Sequence, residues 1–253
     1  MTSFSLTRVP TLNPARRVVV DLVEDLTPTY RRLRLVGDFA AFSSLGADDH
    51  MRVFFVPEGF ATSAESDPEA FAAFRESPSR EYTPVSWDAD ALVLDFVLHG
   101  DGPASTWAQG ATPGSVAVVG GPRGAMVIEG SPDWWVLAGD RTALPAIRRH
   151  LLAVAPGTPV DVVVIAEDEA DEQELASAGE LSVTWVRSRD DLVVRLRDLP
   201  RREGDGFAFV AAEQSIVKPA REILEDRGID LTRAVVKGYW KLGEAEYHAP
   251  RPG

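Results

Sequence analysis

From Trp134 onward the chain repeats one pattern four times: WWVLAG (134–139) then TALPAIRRHLLAV (142–154); VDVVVIA (160–166) then DEADEQELASAG (168–179); SVTWVRS (182–188) then DDLVVRLRDL (190–199); and GFAFVAA (206–212) then SIVKPAREILEDRG (215–228). Short continuous apolar runs followed by longer amphipathic ones read as buried strands alternating with helices. That order predicts a doubly wound parallel sheet.

Upstream the rhythm is different. RVVVDLVEDL (17–26), YRRLRLVG (30–37), MRVFFVPE (51–58), ALVLDFVLH (91–99) and SVAVVGGP (115–122) show period-2 alternation of Val, Leu and Phe, punctuated by Gly, Pro and Asp. They predict an antiparallel barrel or sandwich. The Ser-, Glu-, Pro- and Ala-rich stretch 61–79 interrupts them and should carry a short helix near Pro68–Phe74. The boundary is expected between Gly124 and Pro132, giving a β domain over 1–128 and an α/β domain over 129–253.

At 253 residues the chain has room for two such domains. Lys+Arg number 26 against 39 Asp+Glu, a formal charge of −13, which opposes general nucleic-acid binding. There is no cysteine, so thiolate metal sites, cysteine-ligated clusters and cysteine nucleophiles are excluded and redox chemistry would need a bound cofactor. The segment MTSFSLTRVPTLNPARR has no apolar signal core, and no aliphatic run approaches a membrane span, so a cytoplasmic protein is expected. With no association motif, a monomer is expected.

A β domain followed by an α/β domain suggests a flavin domain joined to a nicotinamide domain. Four motifs bear on this. Arg80-Glu81-Tyr82-Thr83 offers a cation for a diphosphate, a flat ring for stacking and a hydroxyl, although out of context it is an exposed arginine and a half-buried tyrosine on a strand edge. His99-Gly100-Asp101-Gly102-Pro103-Ala104-Ser105-Thr106-Trp107 follows a strand and starts a helical turn, where free N–H groups make an anion site; the plainer reading is a Gly-Pro turn capped by Ser105. Gly139-Asp140-Arg141-Thr142-Ala143 closes the first strand of the α/β domain, where a dinucleotide binds, or is an ordinary turn capped by Asp140 or Thr142. In Val236-Lys237-Gly238-Tyr239-Trp240-Lys241-Leu242-Gly243, two of the chain's three lysines flank an aromatic pair, as a cationic wall or as a last strand with an aromatic plug.

Together, R-E-Y-T, D-F-V-L-H-G-D-G-P-A-S-T-W-A, G-P-R-G, A-G-D-R-T-A-L-P-A-I and V-K-G-Y-W-K-L-G resemble the siderophore-interacting proteins, flavin-dependent ferric-siderophore reductases related to ferredoxin–NADP reductases, over roughly Arg17–Gly243. The resemblance implies an antiparallel β-barrel FAD domain followed by the nicotinamide domain. In it Arg80 faces the phosphates, Tyr82 stacks on the isoalloxazine and Thr83 hydrogen-bonds near its reactive edge, Tyr82 and Thr83 being the residues nearest the chemistry. His99, Gly102, Ala104 and Ser105 cradle the pyrophosphate and Trp107 closes that site. Asp140, Thr142 and Ala143 lie at the nicotinamide end; Arg52, Lys237, Tyr239, Trp240 and Lys241 line the substrate pocket.

The implied reaction passes electrons from NADH or NADPH through FAD to Fe(III) in a ferric siderophore, releasing Fe(II); a reduced ferredoxin is the other conceivable donor. Three positions depart from the family pattern. Val85 replaces a second arginine, Arg141 reverses a charge beside the nicotinamide site, and Ala212 adds a methyl at a later strand end. They leave open a redox-degenerate protein that only binds FAD or a siderophore, or a flavin oxidoreductase with another acceptor. The donor is also open: Glu167, after the second strand of the sheet, favours NADH, whereas Arg187, after the third, favours a 2′-phosphate. The acidic run Glu167–Glu174 reads as the solvated first turn of a helix and not as a metal site.

Overall fold

A computed structural model describes residues 3–62 and 66–244. The described residues divide into one unit within Arg8–Met126 and another that holds residues 127–244 together with residues 3–7.

The strands are β1 (Phe4–Pro10), β2 (Arg16–Thr27), β3 (Tyr30–Val36) and β4 (Met51–Phe54), then helix α1 (Pro68–Ala72), then β5 (Ser79–Tyr82), β6 (Pro84–Trp87), β7 (Ala91–Val97), helix α2 (Pro103–Gly110), β8 (Val116–Gly120) and β9 (Gly124–Gly130). Seven of them form one sheet in the order β5-β4-β8-β2-β3-β7-β6, with antiparallel pairing throughout. Its two edge strands, β5 and β6, are separated in the chain only by Thr83. A sheet whose opposite edges are chain neighbours must curl back on itself, so this is the expected barrel, and R-E-Y-T lies on its seam.

Alternation builds the core. Val18, Val20, Leu33, Leu35, Met51, Val53, Leu92, Leu94 and Phe96 point inward and are buried. Phe54, next to Val53, faces out and packs with Phe71 and Phe74 of the 61–79 excursion, so the interruption covers the outer face of the sheet. Asp95 is buried in β7 because Arg32 on β3 grips it with two hydrogen bonds of 2.7 and 2.9 Å.

In the second unit β10 (Trp134–Asp140), α3 (Leu144–Ala153), β11 (Pro159–Ile165), β12 (Glu180–Val186), α4 (Arg189–Asp198), β13 (Gly206–Glu213), α5 (Val217–Asp226) and β14 (Ala234–Trp240) follow in order. The sheet is parallel, ordered β12-β11-β10-β13-β14. Strand order therefore reverses between β10 and β13, the switch point at whose carboxyl ends ligands bind in such sheets. Leu192 and Leu196 of α4 and Ala220, Ile223 and Leu224 of α5 cover one face. On α3, His150 stacks among Trp135, Phe207 and Phe209.

Three expectations change. The helix anticipated over DEADEQELASAG is a single 3-10 turn, Glu169–Asp171, followed by irregular chain. That stretch has one large apolar residue, Leu175, and so no apolar stripe to bury a helix. The acidic run is a solvated turn only in part: Glu167, Asp168 and Glu169 are exposed, but Asp171 is buried and ion-paired to Arg141 at 2.6 Å, and Glu172 meets Arg187 at 2.7 Å. The residues up to Thr7 group with the second unit, not the first. Phe4 packs edge-on against Phe207, and the Ser3 N–H donates to Asp205 at 2.8 Å.

Candidate functional site

In the barrel unit two of the predicted motifs meet. Tyr82 lies over Phe96, with ring centroids 4.4 Å apart, and Phe96 lies 5.7 Å from Trp107 of α2, which in turn contacts Phe55 at 5.3 Å. Phe96 thus joins the R-E-Y-T seam to the start of α2, a role that sequence reasoning missed because an apolar residue in DFVLH carries no signal beyond its strand. Arg80 is half-buried opposite Val53, its guanidinium donating to the Ser79 carbonyl at 2.7 Å. Burial pushes the Tyr82 phenol up while Arg80 opposes this, so it stays a neutral donor. Thr83 is buried at the seam.

α2 begins without a side-chain cap, because its N-cap is Gly102. Ser105 is not that cap: it sits inside the helix, buried, where its hydroxyl accepts from the His99 N–H at 2.9 Å and from Gln109 Nε2 at 2.8 Å. It fixes the exposed His99 loop against α2. Pro103 has no N–H, so the N–H groups of Ala104 and Ser105 lead the helix. A Cβ at Gly102 would meet nothing within 4 Å, leaving open space before those donors. Gly100 has φ +53, which favours glycine. A cationic fork, a half-buried aromatic face and a helix start open in front of an unfilled glycine fit a flavin dinucleotide. Val85, on β6, supplies no second cation.

The α/β unit gathers its polar groups at the carboxyl ends of β10, β13 and β14. Asp140 caps the turn after β10, accepting from the Thr142 N–H at 2.8 Å and the Thr142 hydroxyl at 2.5 Å, while its other oxygen accepts from Trp240 Nε1 at 2.8 Å. Burial pushes its carboxyl up, and these hydrogen bonds with the Glu213 main chain offset part of that. Glu213 accepts from Ser215 N at 2.7 Å and Leu242 N at 3.3 Å. Burial pushes Glu213 up too, but those bonds and Arg189 leave it below its ordinary value.

Several expected contacts are redirected. Ala143 is fully buried and takes up the space beside Gly139, whose own Cβ would lie 2.7 Å from it and 2.1 Å from the Ala211 carbonyl. Its side chain serves packing at the switch point. Arg141 is not a free cation at the nicotinamide end, since Asp171 holds it. Ala212 is 2% exposed, at the register shift that leaves Tyr239 as the extra residue of β14. Glycine at 238 lets the chain pass close to its neighbour, because a Cβ would fall 2.8 Å from the Gln214 Cα. Lys237 and Tyr239 are half-buried, Tyr239 lying 6.4 Å from Phe209, and Trp240 is 39% exposed. Lys241 pairs with Glu244 at 2.6 Å, and Arg52, in the barrel unit, pairs with Glu81 at 3.0 Å. Both pairs are solvent-exposed and weak, so an anion could displace them at little cost.

The model of the siderophore-interacting FAD-binding domain matches residues 19–126, and that of the siderophore-interacting protein matches residues 132–243. The chain is 30% identical over 240 residues to an NADPH-dependent ferric-chelate reductase of Escherichia coli, covering 89% of this chain and 92% of that protein. It is 29% identical over 238 residues to a ferric vibriobactin reductase of Vibrio cholerae, covering 87% and 88%. A solved siderophore utilization protein from T. fusca superposes with a TM-score of 0.81 at 30% identity, covering 95% of this chain and 97% of that one. Among the described residues no helix is long and apolar enough to cross a membrane, and no group of three or more His, Cys, Asp or Glu could hold a metal ion.

Proposed function

Because the chain belongs to the siderophore-interacting protein family, we propose that it is a reductase carrying electrons from a reduced nicotinamide nucleotide, through FAD, to Fe(III) in a ferric siderophore, which then releases Fe(II). The observation that carries this reading is the junction of the R-E-Y-T seam with the open start of α2 through Phe96, inside the unit matched by the FAD-binding model.

When bound, FAD would supply the conversion of a two-electron donor into single-electron delivery. The protein binds and orients. Arg80 and the N–H groups of Ala104 and Ser105, beside His99 and Gly102, hold the pyrophosphate by charge-assisted hydrogen bonds. Tyr82 offers its face to the ring system and Thr83 a hydroxyl at the seam, while Trp107 keeps water from that end. Asp140 and Thr142 order the turn at the nicotinamide end.

Within the α/β unit, Lys237, Tyr239, Trp240 and Lys241 offer cations and flat faces to the iron chelate, and in the barrel unit Arg52 is a further exposed cation. In a chain of formal charge −13 this basic segment is where an anionic chelate would be drawn. The reaction belongs in the cytoplasm, where reduced nucleotide is available.

Trapping Fe(II) with a chromogenic chelator tests this. With FAD, a reduced nucleotide and a ferric catecholate or hydroxamate present, Fe(II) should accumulate, and leaving out FAD or nucleotide should abolish it. Protein that takes up FAD yet yields no Fe(II) with either nucleotide would overturn the reading and leave a binding role.

A further inference from the structure

The parallel sheet has a second charged end. Helices α4 and α5 leave the carboxyl ends of β12 and β13 and run back to the amino ends of β13 and β14, so their last turns lie at the end of the sheet opposite the switch point. Helices of ten residues separate the two ends by about 15 Å. At those last turns is a cavity of about 160 Å³ lined by Arg197, Arg201, Ile223, Asp226 and Arg227.

In a chain of formal charge −13, three guanidiniums share this cavity, and they are not equally engaged. Arg227, just past α5, has a structural duty: it donates to the Arg197 carbonyl at 3.1 Å and to the Pro200 carbonyl at 2.6 Å, closing the C-terminus of α4. Burial and then the Arg201 charge lower its guanidinium, while Asp161 opposes them, so the arginines are close enough to repel one another. Arg197 and Arg201 are exposed, and among the described residues neither side chain meets a carboxylate or another hydrogen-bond acceptor. The next residue makes the contrast: Arg202 pairs with the buried Asp161 at 3.0 Å. Asp226 is exposed and pairs with none of the three. Ile223, 3% exposed, gives the cavity an apolar wall.

A planar carboxylate satisfies one guanidinium fork, whereas a tetrahedral phosphate presents oxygens to two or three at once. We propose that this cavity is a binding site for a phosphate group, free or at the end of a small ester, with Arg197 and Arg201 donating to its oxygens, Arg227 adding charge behind them and Ile223 in place to meet the carbon body of an ester. The site is remote from the proposed electron-transfer chemistry and stands whether or not the reductase reading does.

The test titrates the FAD-loaded protein by calorimetry with inorganic phosphate, glycerol 3-phosphate and acetate near neutral pH, the ionic strength held constant with potassium chloride. The two phosphates should bind saturably with Kd of about 1 mM or tighter, and acetate at least about ten-fold more weakly. Variants locate the binding. Arg197→Gln combined with Arg201→Gln should weaken phosphate at least about ten-fold with little change in melting temperature, both side chains being exposed. Arg221→Gln, an exposed arginine of α5 outside the cavity, should leave it unchanged. Tighter binding of the glycerol ester identifies an organic phosphate as the occupant, and equal or weaker binding identifies the free anion. Absence of saturable phosphate binding, acetate binding as tight as phosphate, or phosphate binding that the double variant keeps in full overturns the proposal and leaves these arginines as solvated surface charge.

Discussion

Trp240 and Asp140, one hundred residues apart in the chain, are joined by a 2.8 Å hydrogen bond from the indole N–H to the carboxylate. The bond ties the end of β14 to the turn after β10, so the aromatic, lysine-flanked segment and the turn at the switch point move as one piece. Trp240→Phe keeps a ring and removes the donor. We expect a loss of about 1 kcal/mol in urea unfolding, below the usual range for a hydrogen bond to a charged group because Trp240 is partly exposed. Without this donor the Asp140 carboxyl rises further. KM for the ferric chelate should rise several-fold with little change in kcat; an unchanged KM would show that the segment holds its place without this bond.

Two glycines in one loop should respond in opposite ways. Gly100 has φ +53, so Gly100→Ala should cost about 1 kcal/mol of stability. Gly102 has φ −65 and open space where a Cβ would go. Gly102→Asp should therefore leave the unfolding midpoint of the FAD-free protein unchanged or raised, Asp being a good N-cap, while weakening FAD binding at least about ten-fold by placing a carboxylate in the cradle. Thermal melts and flavin fluorescence titration check the pair.

The Arg141–Asp171 ion pair has side-chain exposures of 15% and 5%. Asp171→Ala leaves a largely buried guanidinium without this carboxylate and should cost about 3 kcal/mol in urea unfolding. A change below about 0.5 kcal/mol, the scale of a surface substitution, would show that water reaches the arginine freely.

The pH dependence of stability should report on Asp205. Its carboxyl is held below its ordinary value of 3.8 by the Ser3 N–H first, and by Arg233. A depressed folded-state value means that the contribution is present at pH above the ordinary value and is lost as pH falls through the lower folded-state value. Asp205→Asn should lower stability at neutral pH and flatten the acid limb of the stability profile below about pH 4. An acid limb identical to that of the unaltered protein would remove Asp205 from the account.

Much of this was legible in advance because the relevant physics is local. Period-2 alternation exposed the barrel strands, and continuous apolar runs exposed the parallel sheet. The Asp140 cap follows from an Asx residue two positions before an N–H donor. What escaped depends on partners distant in sequence. Arg141 reads as a reversed charge, and its ion pair with Asp171, thirty residues on, has no local signal in the sequence. Ser105 looked like a cap because Ser before a helical run usually is one, whereas Gly102 holds that place and the hydroxyl turns to His99. The missing crossover helix shows that acidic residues at helical spacing do not make a helix without a face to bury.

The most direct test of the central claim is the anaerobic visible spectrum of the FAD-loaded protein. Absorbance near about 450 nm should fall on addition of NADH or NADPH and return when a ferric siderophore is added, with Fe(II) appearing in step. A flavin that neither nucleotide bleaches, or that stays bleached in the presence of the ferric complex, would contradict the account.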